Sequence, residues 1–399
     1  MSGNRGKFEL DLSDSGEDHD QDAPAPTDNW DRENGAAVVP AEPASVESRY
    51  QAKDVDERPA EARGRPRSTD SSMNGGRLAA ALEEGGYQPV ILFGTNRSGK
   101  TSLLLSLFAT IKTLPDLRTN LELAPEVIQG DAEDQYHLEN AERFLNLMTQ
   151  EFINGKAPAA TRIEDPFLIP VTFEPAGKPP MRFVFIESAG EWYKPDYADH
   201  RLFPKFRSEI EDFIRNCQRG ILFLHLLPQT QLAVRGGNYD QKKDAALMNE
   251  ASLAVAGALQ NYRELRIGKD QDFHLMLVTK WDNRSRDMNM IEALDDDYDD
   301  VVEFVSSKYG QAYASYQNMS GLVREHLLNG FCAGLMNEEG ILNLRSDNDL
   351  RPYVLRYPKN LWTWLYRSAL LNQDMMKSDP FPAEKSEGLL SRIIHKLIG

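Results

Sequence analysis

Gly94-Thr95-Asn96-Arg97-Ser98-Gly99-Lys100-Thr101 decides the fold of this 399-residue chain. An apolar run, Pro89-Val90-Ile91-Leu92-Phe93, leads into it, and a second, Ser102-Leu103-Leu104-Leu105, leads out. The order is strand, glycine loop, helix, with the spacing G-x-x-x-x-G-K-T. Glycines let backbone N–H groups turn inward around an anion. A helix opening there adds unpaired amides and the positive end of its dipole, which attract phosphate. The spacing lets Lys100 reach β- and γ-phosphates and the Thr101 hydroxyl ligate Mg²⁺. Gly94, Asn96, Arg97, Ser98, Gly99, Lys100, Thr101 and Ser102 are therefore candidate nucleotide contacts. A chance glycine turn would lack the flanking elements.

Composition narrows the class. Hydrophobic content of 41% suits a globular protein with a sizeable core. The net charge of −17 repels nucleic-acid backbones and anionic membranes, so neither is an expected partner. Cys217 and Cys332 stand far apart, with neither metal-ligand spacing nor a disulfide framework, which fits a cytoplasmic protein. The seven histidines form no zinc-hydrolase pattern. No apolar run approaches the roughly 18–20 residues needed to span a bilayer, and residues 1–7 lack the apolar core of a signal peptide.

Three regions follow. Residues 1–75, rich in Asp, Glu, Pro, Ser, Ala and Arg, have too few large apolar side chains to offset the cost of ordering, and read as a disordered acidic tail. Within it, Phe8-Glu9-Leu10-Asp11-Leu12 reads as solvated tail, with a docking motif as the alternative. Residues 78–372 form the folded domain. Its pattern predicts strands at 89–94, 167–174, 181–187, 220–226, 274–278 and 330–335, with helices at 100–113, 203–217 and 241–266 and a closing helix around Trp362 and Trp364. Pro175-Ala176-Gly177-Lys178-Pro179-Pro180 reads as a hairpin turn. The expected fold is α/β: a mostly parallel sheet with helices on both faces and one antiparallel edge strand. Residues 373–399 are a tail ending in an amphipathic helix, with Leu389, Leu390, Ile393, Ile394, Leu397 and Ile398 on one face. It packs on its own domain or docks a partner; membrane binding is the weakest reading. The acidic run Asp295–Asp300 reads as a helix start rather than a calcium loop, because it lacks that loop's glycine and distal glutamate.

Two further motifs sit at strand ends, where open α/β sheets bind ligands. In Phe183-Val184-Phe185-Ile186-Glu187-Ser188-Ala189-Gly190-Glu191, an acid at the strand end can hold Mg²⁺ and the Gly190 backbone can approach the γ-phosphate. In Thr279-Lys280-Trp281-Asp282, the aspartate can accept from two guanine N–H groups and the lysine stem can pack over the nucleotide. Adenine presents an acceptor at N1 and lacks the amine at C2, so such a carboxylate rejects it.

The ordered set GTNRSGKTS, ESAGE and TKWD resembles the translation-factor-related class of P-loop GTPases, over about residues 86–372. It looks closest to the bacterial double-GTPase group within that class. The resemblance implies a P-loop NTPase fold with a six-stranded core, GTP/GDP and Mg²⁺ as ligands, and GTP hydrolysis. It also implies a Mg²⁺- and γ-phosphate-gripping threonine before the hairpin, for which Thr161 is the candidate, and a guanine-contacting turn near Cys332-Ala333-Gly334. Thr101, Thr161 and Glu187 would hold the metal. Lys100, Thr161 and Glu191 would act in hydrolysis.

Two departures bear on mechanism. Glu187 replaces the usual aspartate, and Glu191 stands where a water-orienting glutamine is usual. Glutamate cannot donate to the γ-phosphate, so slow intrinsic hydrolysis is expected. Arg97 and Arg162 are in-chain candidates for a compensating charge, with phosphate contact or plain exposure preferred. The leading expectation is a switch that presents its nucleotide-ordered surface to a protein effector or a second GTPase subunit, oligomerisation being open. The alternatives are a nucleotide-binding scaffold with little turnover and a P-loop ATPase.

Overall fold

The computed structural model describes residues 75–95, 97–113, 119–124, 132–156, 158, 167–187, 208–230, 241–281, 298–333 and 351–373. At its centre lies β1 (Gln88–Phe93), whose six residues are all buried. The apolar run Pro89–Phe93 is what a strand covered on both faces carries. Its parallel neighbours are β4 (Met181–Glu187) and β5 (Leu222–Pro228), and β6 (Phe273–Thr279) and β7 (Glu325–Phe331) continue the sheet beyond β5. On the other side, β3 (Phe167–Glu174) runs antiparallel to β4 and to β2 (Asn120–Leu123). The seven-stranded order is β2-β3-β4-β1-β5-β6-β7. The turn joining β3 to β4 reverses at Gly177, whose φ of +68° suits glycine.

This is the expected α/β P-loop NTPase architecture, with two adjustments. The sheet has seven strands rather than six, because β2 adds to the outside of β3. One strand does oppose the rest, as expected, but it lies second from the edge. Furthermore, the last strand ends at Phe331, whereas 330–335 was expected. Its start, Glu325-His326-Leu327, is only half-buried at the sheet edge and lacks a continuous apolar run.

The helices are α1 (Gly75–Glu84), α2 (Lys100–Thr113), α3 (Ala132–Arg143), α4 (Thr149–Ile153), α5 (Ser208–Asn216), α6 (Gln241–Leu265), α7 (Tyr298–Lys308), α8 (Gly310–Gln317) and α9 (Arg351–Asn372), with a π turn at Phe144–Met148. Register assigns the two faces of the sheet. Val90, Phe185 and Ile169 lie side by side, as do Phe183 and Val171, and all face α2 and α9. There Trp362 stacks on Phe173 with centroids 4.3 Å apart, and Phe108 meets Phe185 edge-on at 5.7 Å. Such pairs add about 0.5–1.5 kcal/mol beyond area burial. On the opposite face, Phe223 and His274 pair in register and meet Tyr262 of α6. His225 Nε2 and His274 Nδ1 are 2.9 Å apart, and Tyr316 of α8 donates to the His274 carbonyl at 2.9 Å. The expected helix at 241–266 and the acidic helix start near 298 both appear, with Asp299 and Asp300 in the first turn of α7.

A buried ion pair closes the end of the sheet where the parallel strands begin. Asp272 accepts from Arg266 Nη2 (2.6 Å) and Nε (2.8 Å), from the Tyr262 hydroxyl, and from the Ile221 amide (2.6 Å). Arg266 in turn donates to the carbonyls of Ile214, Cys217 and Arg219, satisfying the end of α5 and the turn after it. Among the described residues no helix is long and apolar enough to cross a membrane. The expected acidic tail and the 374–399 segment lie outside the described residues.

Candidate nucleotide-binding site

The chain leaves β1 through α2 toward β2 at one edge, then crosses after β4 to β5 on the other side of β1. Such a reversal opens a crevice beyond the C-terminal ends of the strands. The phosphate-loop motif fills it. Ser98 N–H donates to the Thr95 carbonyl at 3.2 Å, and Leu103 N–H makes an early bond of α2 to the Gly99 carbonyl at 2.9 Å. Two residues take left-handed backbone conformations: Gly99 (φ +90°) and, unusually for a side-chain-bearing residue, Arg97 (φ +63°). Strain of this kind concentrates at ligand sites. Gly94 is obligatory for another reason: a Cβ there would lie 2.3 Å from Ser98 Oγ and 3.2 Å from Leu226 Cβ.

The loop's cation is buried with it. Lys100 Nζ donates to the carbonyls of Gly94 (2.6 Å) and Thr95 (3.2 Å). Thr101 and Ser102 are half-buried at the start of α2, while Arg97 is exposed. Because Ile91 pairs with Ile186, Glu187 falls beside Leu92 at the foot of the loop. There the Thr101 hydroxyl donates to Glu187 Oε1 at 3.2 Å. Burial pushes the Glu187 carboxyl up to about 7, with Lys100 and the Thr101 bond pulling it back.

These residues fit Mg²⁺. Glu187 Oε2 is buried without a hydrogen-bond partner, and its neighbour is a hydroxyl, so the donors are the hard oxygens that Mg²⁺ prefers. A cation here would favour the carboxylate over the acid. Among the described residues no group of three or more His, Cys, Asp or Glu could hold a metal.

The third motif reaches the same crevice. Thr279, at the end of β6, donates its hydroxyl to the Ser98 carbonyl at 2.7 Å, tying the T-K-W segment to the phosphate loop past the intervening β5. Lys280 follows with φ +58°, and its Nζ donates to the Thr230 carbonyl at 2.8 Å. The Thr230 hydroxyl bonds both oxygens of buried Asp244 in the first turn of α6, at 3.2 Å each. Trp281 is buried against Gly330 of β7, where a Cβ would stand 2.9 Å from the indole. Cys332 and Ala333 continue from Phe331, the register partner of Thr279, so the predicted base-contacting turn begins beside Lys280 and Trp281.

The structure thus brings together Gly94, Arg97, Ser98, Gly99, Lys100, Thr101, Ser102, Glu187, Thr279 and Lys280. Asn96, Thr161, Gly190, Glu191, Asp282 and Gly334 lie outside the described residues. Sequence reasoning missed Thr230 and Asp244, which carry no motif. It also missed Gly330 as the seat of Trp281, for which a glycine in a strand facing an aromatic was the available signal.

No protein-family model matches the chain, and no curated protein matches it. Several solved structures are similar to it. Toc33 from Arabidopsis thaliana aligns with a TM-score of 0.33 and 9% identity over 75% of this chain and 92% of that one. The Ski7 GTPase-like domain from S. cerevisiae, bound to GTP, aligns at 0.28 and 13% over 70% of this chain and 52% of that one. A signal recognition particle receptor SRb-GTP/SRX complex from Chaetomium thermophilum gives 0.28 and 11% over 69% and 98%. These likenesses are too distant to carry functional weight, which rests on the chain's own residues.

Proposed function

We propose that this chain binds guanine nucleotide with Mg²⁺, hydrolyses GTP slowly, and acts as a nucleotide-dependent switch. The observation that carries the reading is the Thr279–Ser98 bond, which joins the segment preceding the base-reading Asp282 to the phosphate-reading loop.

Each residue has a role in this reading. Amides of residues 94–102 and the start of α2 bind the phosphates. Lys100, already buried within the loop, neutralises charge that develops toward the β- and γ-oxygens. Thr101 and Glu187, with Thr161, would hold Mg²⁺, which would supply charge neutralisation to the bound phosphates. Asp282 selects guanine. Gly190 and Glu191 sense the γ-phosphate and position the attacking water, with the glutamate limiting the rate. The ordered surface around Thr161 and 187–191 then faces an effector or a second GTPase of a bacterial multi-component system.

Competition and single-turnover assays test this. GDP should displace a fluorescent guanine nucleotide while ADP does not, and bound GTP should decay to GDP in a Mg²⁺-dependent manner. Equal displacement by ADP would defeat guanine selectivity. GTP unchanged over hours would leave a binding scaffold without switching.

A further inference from the structure

Among the described residues three large apolar side chains are exposed, and two flank one groove: Ile267 (82% exposed) and Leu322 (45%). The groove measures about 620 Å³ and runs between the end of α6 and the turn after α8; Gln260, Arg263, Glu264, Ser315 and Asn318 line it, over buried Leu259. It lies where β6 begins, at the pole opposite the phosphate loop. Ile267 and Leu322 both belong to its lining, which is otherwise mostly polar.

Helix α9 ends at this pole: Asn372 Nδ2 donates to the carbonyl of Gly220, just before β5, at 3.1 Å. Arg324 bridges that helix end to the groove. Its guanidinium donates to the Leu371 carbonyl at 3.0 Å and its amide to the Asp272 carbonyl at 2.9 Å. Asp272 pairs with Arg266, itself a groove residue, and Leu322 is two positions before Arg324. Residues 374–388 start from this point and can extend about 50 Å. They lead to the apolar face formed by Leu389, Leu390, Ile393, Ile394, Leu397 and Ile398.

We propose that the groove flanked by Ile267 and Leu322 is the docking site for the chain's own C-terminal amphipathic segment, 389–398. A helix laid in a groove through residues three and four apart is a recurrent mode of recognition. The tether presents the segment at an effective concentration on the order of millimolar, so an interface of modest affinity is occupied. The proposal is independent of the nucleotide site.

Hydrogen exchange on the full chain tests it. Amides of 389–398 should exchange about tenfold more slowly than in a free peptide of that sequence. Ile267→Glu and, separately, Leu390→Glu should each abolish the protection. Ile267 is largely exposed, so that variant keeps the fold, and unchanged exchange in β1 and β5 verifies it. A double variant, Ile267→Cys with Ile394→Cys, should form a disulfide within one chain; the native Cys217 and Cys332 are buried and do not compete. Absent protection, protection that survives Ile267→Glu, or a disulfide found only between two chains would each overturn the proposal. The last would make the occupant a second copy.

Discussion

Replacing Thr279 by valine isolates the junction on which the functional reading rests. Valine keeps the shape of threonine, and therefore the contact beneath Gly99, where a Cβ would sit 3.5 Å from the Thr279 side chain. Only the 2.7 Å bond to the Ser98 carbonyl is lost, at a side chain 3% exposed. A buried acceptor left unsatisfied costs about 1–3 kcal/mol, and a net hydrogen bond contributes about 1 kcal/mol. We therefore expect Thr279→Val to lower the unfolding free energy by about 1–2 kcal/mol in urea titration. Nucleotide binding must then re-form a loop no longer held, so GDP affinity by calorimetry should fall by up to about tenfold. Thr279→Ser keeps the hydroxyl and should lie closer to wild type on both measures. If valine matches wild type and serine is the damaging change, the side chain matters for packing and the junction argument fails.

Other outcomes follow from the same geometry. Gly330→Ala drives a methyl into the Trp281 indole, and overpacking of this kind costs about 1–3 kcal/mol; it should weaken GDP binding more than phosphate-only ligands, and equal loss for both would contradict a base-side role. Asp272→Ala strands the buried Arg266 charge and should cost about 3–5 kcal/mol in urea, whereas Asp272→Leu with Arg266→Met should recover part of that; a double variant worse than the single would refute the ion-pair account. His225 is held down to about 3 by burial and His274 is likewise depressed by burial, so the unfolded chain, titrating near 6.5, binds protons that the folded chain does not. The stability they confer is complete above about 6.5 and is lost as pH falls toward the folded values. Glu187, raised to about 7, pulls the opposite way, so the readout is a difference between proteins: from pH 7.5 to 5.0, His225→Leu should shed about 2 kcal/mol less than wild type. Parallel pH profiles would show that His225 is not held neutral.

The central elements were legible because their burial leaves a one-dimensional trace. β1, β5 and β6 read as apolar runs interrupted only by single polar residues such as His225 and His274, α2 matched its expected bounds of 100–113, and the hairpin turn carried its own punctuation. β2 was not legible: Asn120-Leu121-Glu122-Leu123 is a four-residue edge strand with alternate residues exposed, too short to separate from acidic loop. β7 was placed late because Glu325, His326 and Asn329 flank Leu327 and Leu328, leaving no continuous apolar run at the half-buried start of the strand. At the site, motif spacing placed Lys100 and Thr101 in the loop, and the family resemblance joined Glu187 to Thr101 across 86 positions. The Thr279–Ser98 bond, the Lys280–Thr230–Asp244 chain and the seat of Trp281 on Gly330 join residues 14 to 181 positions apart. No local pattern encodes those contacts; they arise from strand order.

The most direct test of the central claim is calorimetry of GTP, GDP and ATP on the purified chain with Mg²⁺, beside Asp282→Asn. The account predicts guanine nucleotides binding far more tightly than ATP. It predicts also that asparagine weakens guanine and favours xanthine nucleotides, because its amide can donate to the second ring oxygen. Tight ATP binding indifferent to Asp282 would contradict it, leaving a phosphate loop without guanine recognition.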